Sequence, residues 1–106
     1  MKVSKKRQIR WDNMRPTIES EMHGTANPVY AQALSFCLAR MNKEEIPLDL
    51  NTAHSYIVEI EDRVNYLIYQ TTDILKTNAL MECADIVREV SEDMLQDYRL
   101  EGDETP

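Results

Sequence analysis

Glycine is nearly missing from this chain, with two among 106 residues. A loop that wraps phosphate in backbone N–H groups needs several glycines in close succession, so phosphate-cradling loops are excluded. The four prolines are likewise too few for a disordered or loop-rich chain. Two cysteines, Cys37 and Cys83, do not make a disulfide framework. Both fall on the apolar side of predicted helices and read as small reduced core residues. No apolar run approaches the roughly 18 residues that a membrane span needs. The two histidines, His23 and His54, lie far apart, and neither has a partner at a metal-ligand spacing. No serine sits in a nucleophile-elbow context. The basic N-terminus is not followed by an apolar core such as a secretion signal carries, so a cytoplasmic location is the expectation.

The longest regular pattern runs from about Asn51 to Lys76. Ala53, Ile57, Ile60, Val64 and Leu67 recur in steps of four and three. Continuing through Thr71, the same rhythm reaches Ile74, Asn78 and Met81. A mean period of about 3.5 residues is that of a helix lying against another helix. Tyr56, Tyr66, Ile68 and Tyr69 widen the stripe, and the rest of the chain is expected to pack on it.

Around this centre the chain divides into a basic N-terminal arm (1–15), one helical domain (16–100) and a disordered acidic tail (101–106). The arm reads as extended or irregular, with Trp11 covering the core. Pro16 suits the first position of a short helix to about Met22, which Gly24 ends. Asn27-Pro28 is a start signal, an N-cap followed by proline at the first helical position. The helix it opens runs to about Met41, with Tyr30, Leu34, Cys37, Leu38 and Met41 as its stripe and Ala33 and Phe36 beside it. Asn42 to Leu50 is a linker containing Pro47. Asp49, Asn51 or Thr52 caps the central helix. Leu80, Ala84, Val87, Val90, Met94 and Tyr98 repeat the helical pattern to about Arg99. Asn78 is either a fresh cap, which makes a helical hairpin broken near Thr77, or interior to one helix of nearly fifty residues. The hairpin is favoured, because so long a helix needs a partner to cover it. The fold class is therefore all-α: a small bundle of three main helices plus a short N-terminal one.

Charge is polarised. Residues 1–15 hold six Lys or Arg against one Asp, whereas 80–106 hold nine Asp or Glu against two Arg, within a net charge of −7. Lys5, Lys6, Arg7 and Arg10, with Trp11 to stack, form an arm suited to nucleic acid or to an acidic partner. That arm is also suited to the acidic C-terminal helix of its own chain or of a second subunit. Glu82, Asp85, Glu89, Glu92, Asp93 and Asp97 form an acidic helical face. Such a face imitates nucleic-acid phosphates or steers association with a basic groove on another protein.

Glu59 and Asp62 lie one helical turn apart on the central helix, and Glu82 and Asp85 one turn apart on the next. A spacing of three puts each pair on one helix face. Two such helices packed antiparallel would place four hard oxygen ligands together, a Mg²⁺ site able to hold a nucleotide's phosphates. Over residues 55–95 this resembles the MazG-type all-α nucleotide pyrophosphohydrolases, whose signature is Glu-x-x-Glu, a spacer, then Glu-x-x-Asp. Here the first motif is Glu59-x-x-Asp62. The resemblance implies a Mg²⁺-dependent pyrophosphohydrolase with Glu59, Asp62, Glu82 and Asp85 as ligands.

The leading functional expectation is a small acidic helical regulator or inhibitor that needs no cofactor, of the size common among phage or mobile-element accessory proteins. It would act by contact with a protein bearing a basic surface. The surplus of tyrosine suggests a homodimer with the central helix at its interface. The alternatives are the Mg²⁺ enzyme and nucleic-acid binding through the N-terminal arm.

Overall fold

The computed structural model describes residues 3–70 and 73–103. They form four helices: α1 (Lys5–Gly24), α2 (Pro28–Met41), α3 (Leu50–Gln70) and α4 (Ile74–Asp103). Among the described residues there is no strand, and no helix is long and apolar enough to cross a membrane.

Each start is set by a short polar side chain that accepts the first free N–H groups. Ser4 accepts from Arg7 N–H at 3.1 Å, and Asn27 accepts from Val29 and Tyr30 at 3.0 and 3.2 Å. Of the three candidates for α3, Asp49 does the capping, taking Thr52 N–H at 2.8 Å. At α4 the cap is Asp73, which takes Lys76 N–H at 3.0 Å. The hairpin is therefore real, but it breaks before Ile74 and not near Thr77 or Asn78. The end of α2 turns through Lys43, whose φ of 65° is left-handed. Glu44 N–H bonds back to Ala39 O and Lys43 N–H to Arg40 O, both at 3.0 Å, the pairing of a Schellman motif.

The helices run up, down, up, down. Glu21 on α1 meets Tyr30 on α2, Glu61 on α3 meets Arg88 on α4, and Arg7 on α1 reaches Glu89 on α4, so each neighbouring pair is antiparallel. One core runs through all four: Trp11 and Ile18 from α1, Leu34 and Met41 from α2, Ile60 and Leu67 from α3, Leu80, Ile86 and Val87 from α4. Across the α2–α4 diagonal the buried residues are small, Ala33 and Cys37 facing the level of Cys83 and Ala84. The Cys37 thiol donates to Cys83 O at 3.4 Å. Both cysteines are free and buried. Burial, with Cys83 beside it, pushes the Cys37 thiol well up, so it stays protonated and unreactive.

Three sequence expectations change. Residues 5–15 are not an extended arm, and no separate short helix begins at Pro16; both belong to α1, with Pro16 inside it. Proline removes one N–H and crowds the preceding turn, a cost of about 3 kcal/mol in a helix interior. The helix continues because its upstream half is anchored to α4. The central stripe is covered within the monomer: Ala53, Ile60, Val64 and Leu67 are buried, so it does not call for a second copy. Its extension fails, since Ile74, Asn78 and Met81 all face outward. Of the expected acidic tail 101–106, residues 101–103 lie in α4, and 104–106 lie outside the described residues.

Pro16→Ala restores an N–H that can bond to Asp12 O. It is expected to raise the free energy of urea unfolding by about 1–3 kcal/mol. A lower stability would mean that the proline ring itself supports the bend.

Candidate protein-binding surface

The α1–α4 contact decides which charged residues remain on the surface. Glu82 sits on the α1-facing side of α4 and is 9% exposed. Its Oε1 accepts from Arg7 Nε and from Trp11 Nε1, both at 2.8 Å, and Arg10 lies 3.6 Å away. Arg7 also reaches Glu89 at 2.9 Å, and its guanidinium stacks 4.9 Å from the Trp11 ring centre. Burial pushes the Glu82 carboxyl up, but Arg7, Trp11 and Arg10 more than offset this and hold it below the usual carboxylate range. A buried carboxylate with two donors and a cation is satisfied, whereas its isolated counterpart would be costly.

A second buried carboxylate closes the opposite end of the bundle. Glu21 accepts from Arg63 at 2.6 Å and from the Tyr30 hydroxyl at 3.1 Å, with Lys76 at 3.4 Å. Burial again raises its pKa, and Arg63, Tyr30 and Lys76 together bring it below the ordinary value. Sequence reading missed Glu21. With α1 taken as one helix, Trp11, Met14, Ile18 and Met22 form an inward stripe with Glu21 on its edge, and that is the signal that would have found it.

These contacts redistribute the candidate residues. Glu82, expected on the exposed acidic face, is buried. Glu89 is half-buried against Arg7, and Asp85 pairs with Arg88. Glu92, Asp93 and Asp97 are exposed, and no cation among the described residues pairs with them. Of the basic set, Arg7 and Trp11 are committed to Glu82. Trp11, 1% exposed, is not available to stack on a base. Lys5, Lys6 and Arg10 remain at the surface.

The paired carboxylates do not converge. Glu59 accepts from the Asn27 amide at 2.8 Å. With Asp62 it lines an open cleft of about 670 Å³, together with Glu21, Tyr30, Arg63 and Lys76. Glu82 and Asp85 are not in that lining. Glu82 turns toward α1, while Glu59 and Asp62 lie toward the α1–α2 connection. Among the described residues no group of three or more His, Cys, Asp or Glu side chains could hold a metal ion.

Large apolar side chains are exposed where α3 passes into α4. Tyr69 is 86% exposed, Leu75 78%, Ile74 69% and Ile68 60%. Met81 and Tyr66 are about half exposed, as is Ile9 on α1. Beside them, Lys6, Ile9, Arg10, Met14 and Leu75 line a groove of about 380 Å³ between α1 and α4. A surface that combines exposed apolar groups with charge at its edge suits protein contact. Compared with known families, characterised proteins and solved structures, the chain matches none.

Both buried carboxylates have folded pKa values below their unfolded ones. Their contribution to stability is therefore complete above the ordinary carboxyl value near 4.3 and is lost as pH falls through the lower folded values. Unfolding free energy is expected to fall below about pH 4.5. Glu82→Gln keeps an acceptor for Trp11 and should flatten that decline. Glu82→Ala should cost about 2–4 kcal/mol at pH 7, because it leaves the Trp11 N–H without its acceptor and Arg7 with Glu89 alone. An acid limb identical in wild type and Glu82→Gln would show that Glu82 does not hold its charge in the folded protein.

Proposed function

We propose that the protein is a helical regulator or inhibitor that acts by binding another protein, with the outer half of α4 as its docking element. One observation carries this reading. After the internal ion pairs have taken Glu82, Asp85 and Glu89, a compact set of acids, Glu92, Asp93 and Asp97, still stands exposed and unpaired among the described residues. Half-exposed Leu95 lies one turn beyond Glu92 on the same side of α4. A negative face with an apolar member is complementary to a basic groove lined with some apolar surface, such as a nucleic-acid-binding protein presents. Charge of this kind raises the rate of encounter and fixes orientation more than it adds affinity.

Replacing Glu92, Asp93 and Asp97 together by Lys leaves the core untouched. In cells that express the protein, capture with the wild type and with the triple variant should differ by a specific basic partner. With that partner purified, the variant should bind at least about tenfold more weakly, and the dependence of its affinity on salt should flatten. Equal affinity for the two proteins would rule out the α4 face.

A further inference from the structure

We infer that the partner's basic surface carries a short protruding segment, cationic with an apolar tip, that inserts between the outer half of α4 and the linker joining α2 to α3. An open groove of about 600 Å³ lies there. One wall is a single face of α4: Val90, Asp93, Met94 and Asp97 stand at i, i+3, i+4 and i+7. The other wall is Ile46, Pro47 and Leu48, with Ile46 41% exposed. Val90, Met94 and Leu48 are partly buried against the core and make an apolar floor, and the two aspartates stand exposed beside it. Glu92 and Leu95 are off this face, about 100° or more around the helix from Asp93 and Asp97.

Charge decides the occupant. Glu45, Asp93 and Asp97 line the groove against one cation, Arg40, and none of the four is in an ion pair among the described residues. Three carboxylates against one guanidinium leave the groove negative, so it repels nucleic acid and favours a cationic segment. The residues 104–106 are Glu, Thr and Pro, and they bring no cation to it. The bundle shows how such a segment is held one level below. There α1 lies along α4 and sets Arg7 on Glu89 while Trp11 fills the core. Because α1 begins only two residues before Arg7, at Lys5, its helix gives out at this level of α4. From Val90 to Asp97 the α4 wall is about 10 Å long, room for two turns of helix or a short extended stretch. A helical occupant would set Lys or Arg one turn apart against Asp93 and Asp97 and rest an apolar side chain on Val90, Met94 and Leu48.

This inference rests on the reading of the outer α4 half as a docking element, and the two fail differently. The probe is a set of peptides selected from a random-sequence library on the immobilised full-length protein. The selected peptides are expected to pair Lys or Arg with a large apolar residue and to bind more weakly as salt is raised. Ile46→Asp should weaken them at least about tenfold, and so should Asp93→Lys with Asp97→Lys, whereas Glu92→Lys should change affinity less than about threefold. All of these sites are exposed, and circular dichroism on each variant establishes that the helices are intact. Selected peptides without cations would overturn the inference, as would peptides that Ile46→Asp binds as tightly as the wild type does. Self-association of the pure protein that Ile46→Asp abolishes would put a second copy in the groove and also overturn it. With a captured partner, loss of binding in the Glu92, Asp93 and Asp97 variant but not in Ile46→Asp would leave α4 as the docking element and remove the groove. Indifference to both variants would remove the docking element itself.

Discussion

The contact on which the rest depends is the Glu82 carboxylate receiving Arg7 and Trp11. α1 lacks a broad apolar face. Only Trp11, Met14, Ile18 and Met22 turn inward, and its first turns are basic. Hydrophobic burial alone would hold its second half and leave the first half loose, all the more because Pro16 interrupts the helical bonds between them. The buried carboxylate supplies the missing attachment: an acceptor for the indole N–H, a counter-ion for Arg7, and a cation–π stack that keeps the two together. Glu21 closes the opposite end with Arg63, Tyr30 and Lys76, so α1 is pinned near both of its ends.

This attachment also decides what the surface offers. By drawing Arg7 inward, it consumes part of the basic N-terminal charge, and by burying Glu82 it removes one member of a supposed metal or docking set. What stays outside is Lys5, Lys6 and Arg10 at the start of α1, alongside the Glu82–Glu89 stretch of α4, and Glu92, Asp93 and Asp97 further along α4.

The helices and most of the core were legible in the sequence because periodicity reports burial directly. The α2 stripe, the Ala53–Leu67 stripe and the Asn27-Pro28 start all appear as expected. The failures have local causes. Pro16 carries the mark of a helix start, and only a long-range contact, between Trp11 and Glu82, reveals that the helix began eleven residues earlier, at Lys5. Ile74 and Met81 extend the α3 rhythm by coincidence. The chain reverses between Gln70 and Ile74, after which Ala79, Leu80, Cys83, Ala84, Ile86 and Val87 set a new inward register. Glu82 reads as a surface acid because an i, i+3 carboxylate pair in an acidic segment looks the same whether or not a cation covers it. Nothing short of the fold pairs residues 7 and 82. The candidate surface was less legible for the same reason, since exposure of Leu75, Tyr69 and Ile9 is a property of how four helices assemble.

Amide hydrogen exchange across α1 in the unmodified protein reads out the Glu82 attachment itself. If the Glu82 contact fixes the first half of α1, the amides from Gln8 to Arg15 should be protected nearly as well as those from Thr17 to Met22, exchanging at least about a thousandfold more slowly than in an unfolded chain. If those amides exchange at the unfolded rate while the second half of α1 stays protected, residues 5–15 are a solvated arm. Glu82 would then be an open surface carboxylate and not the anchor of α1.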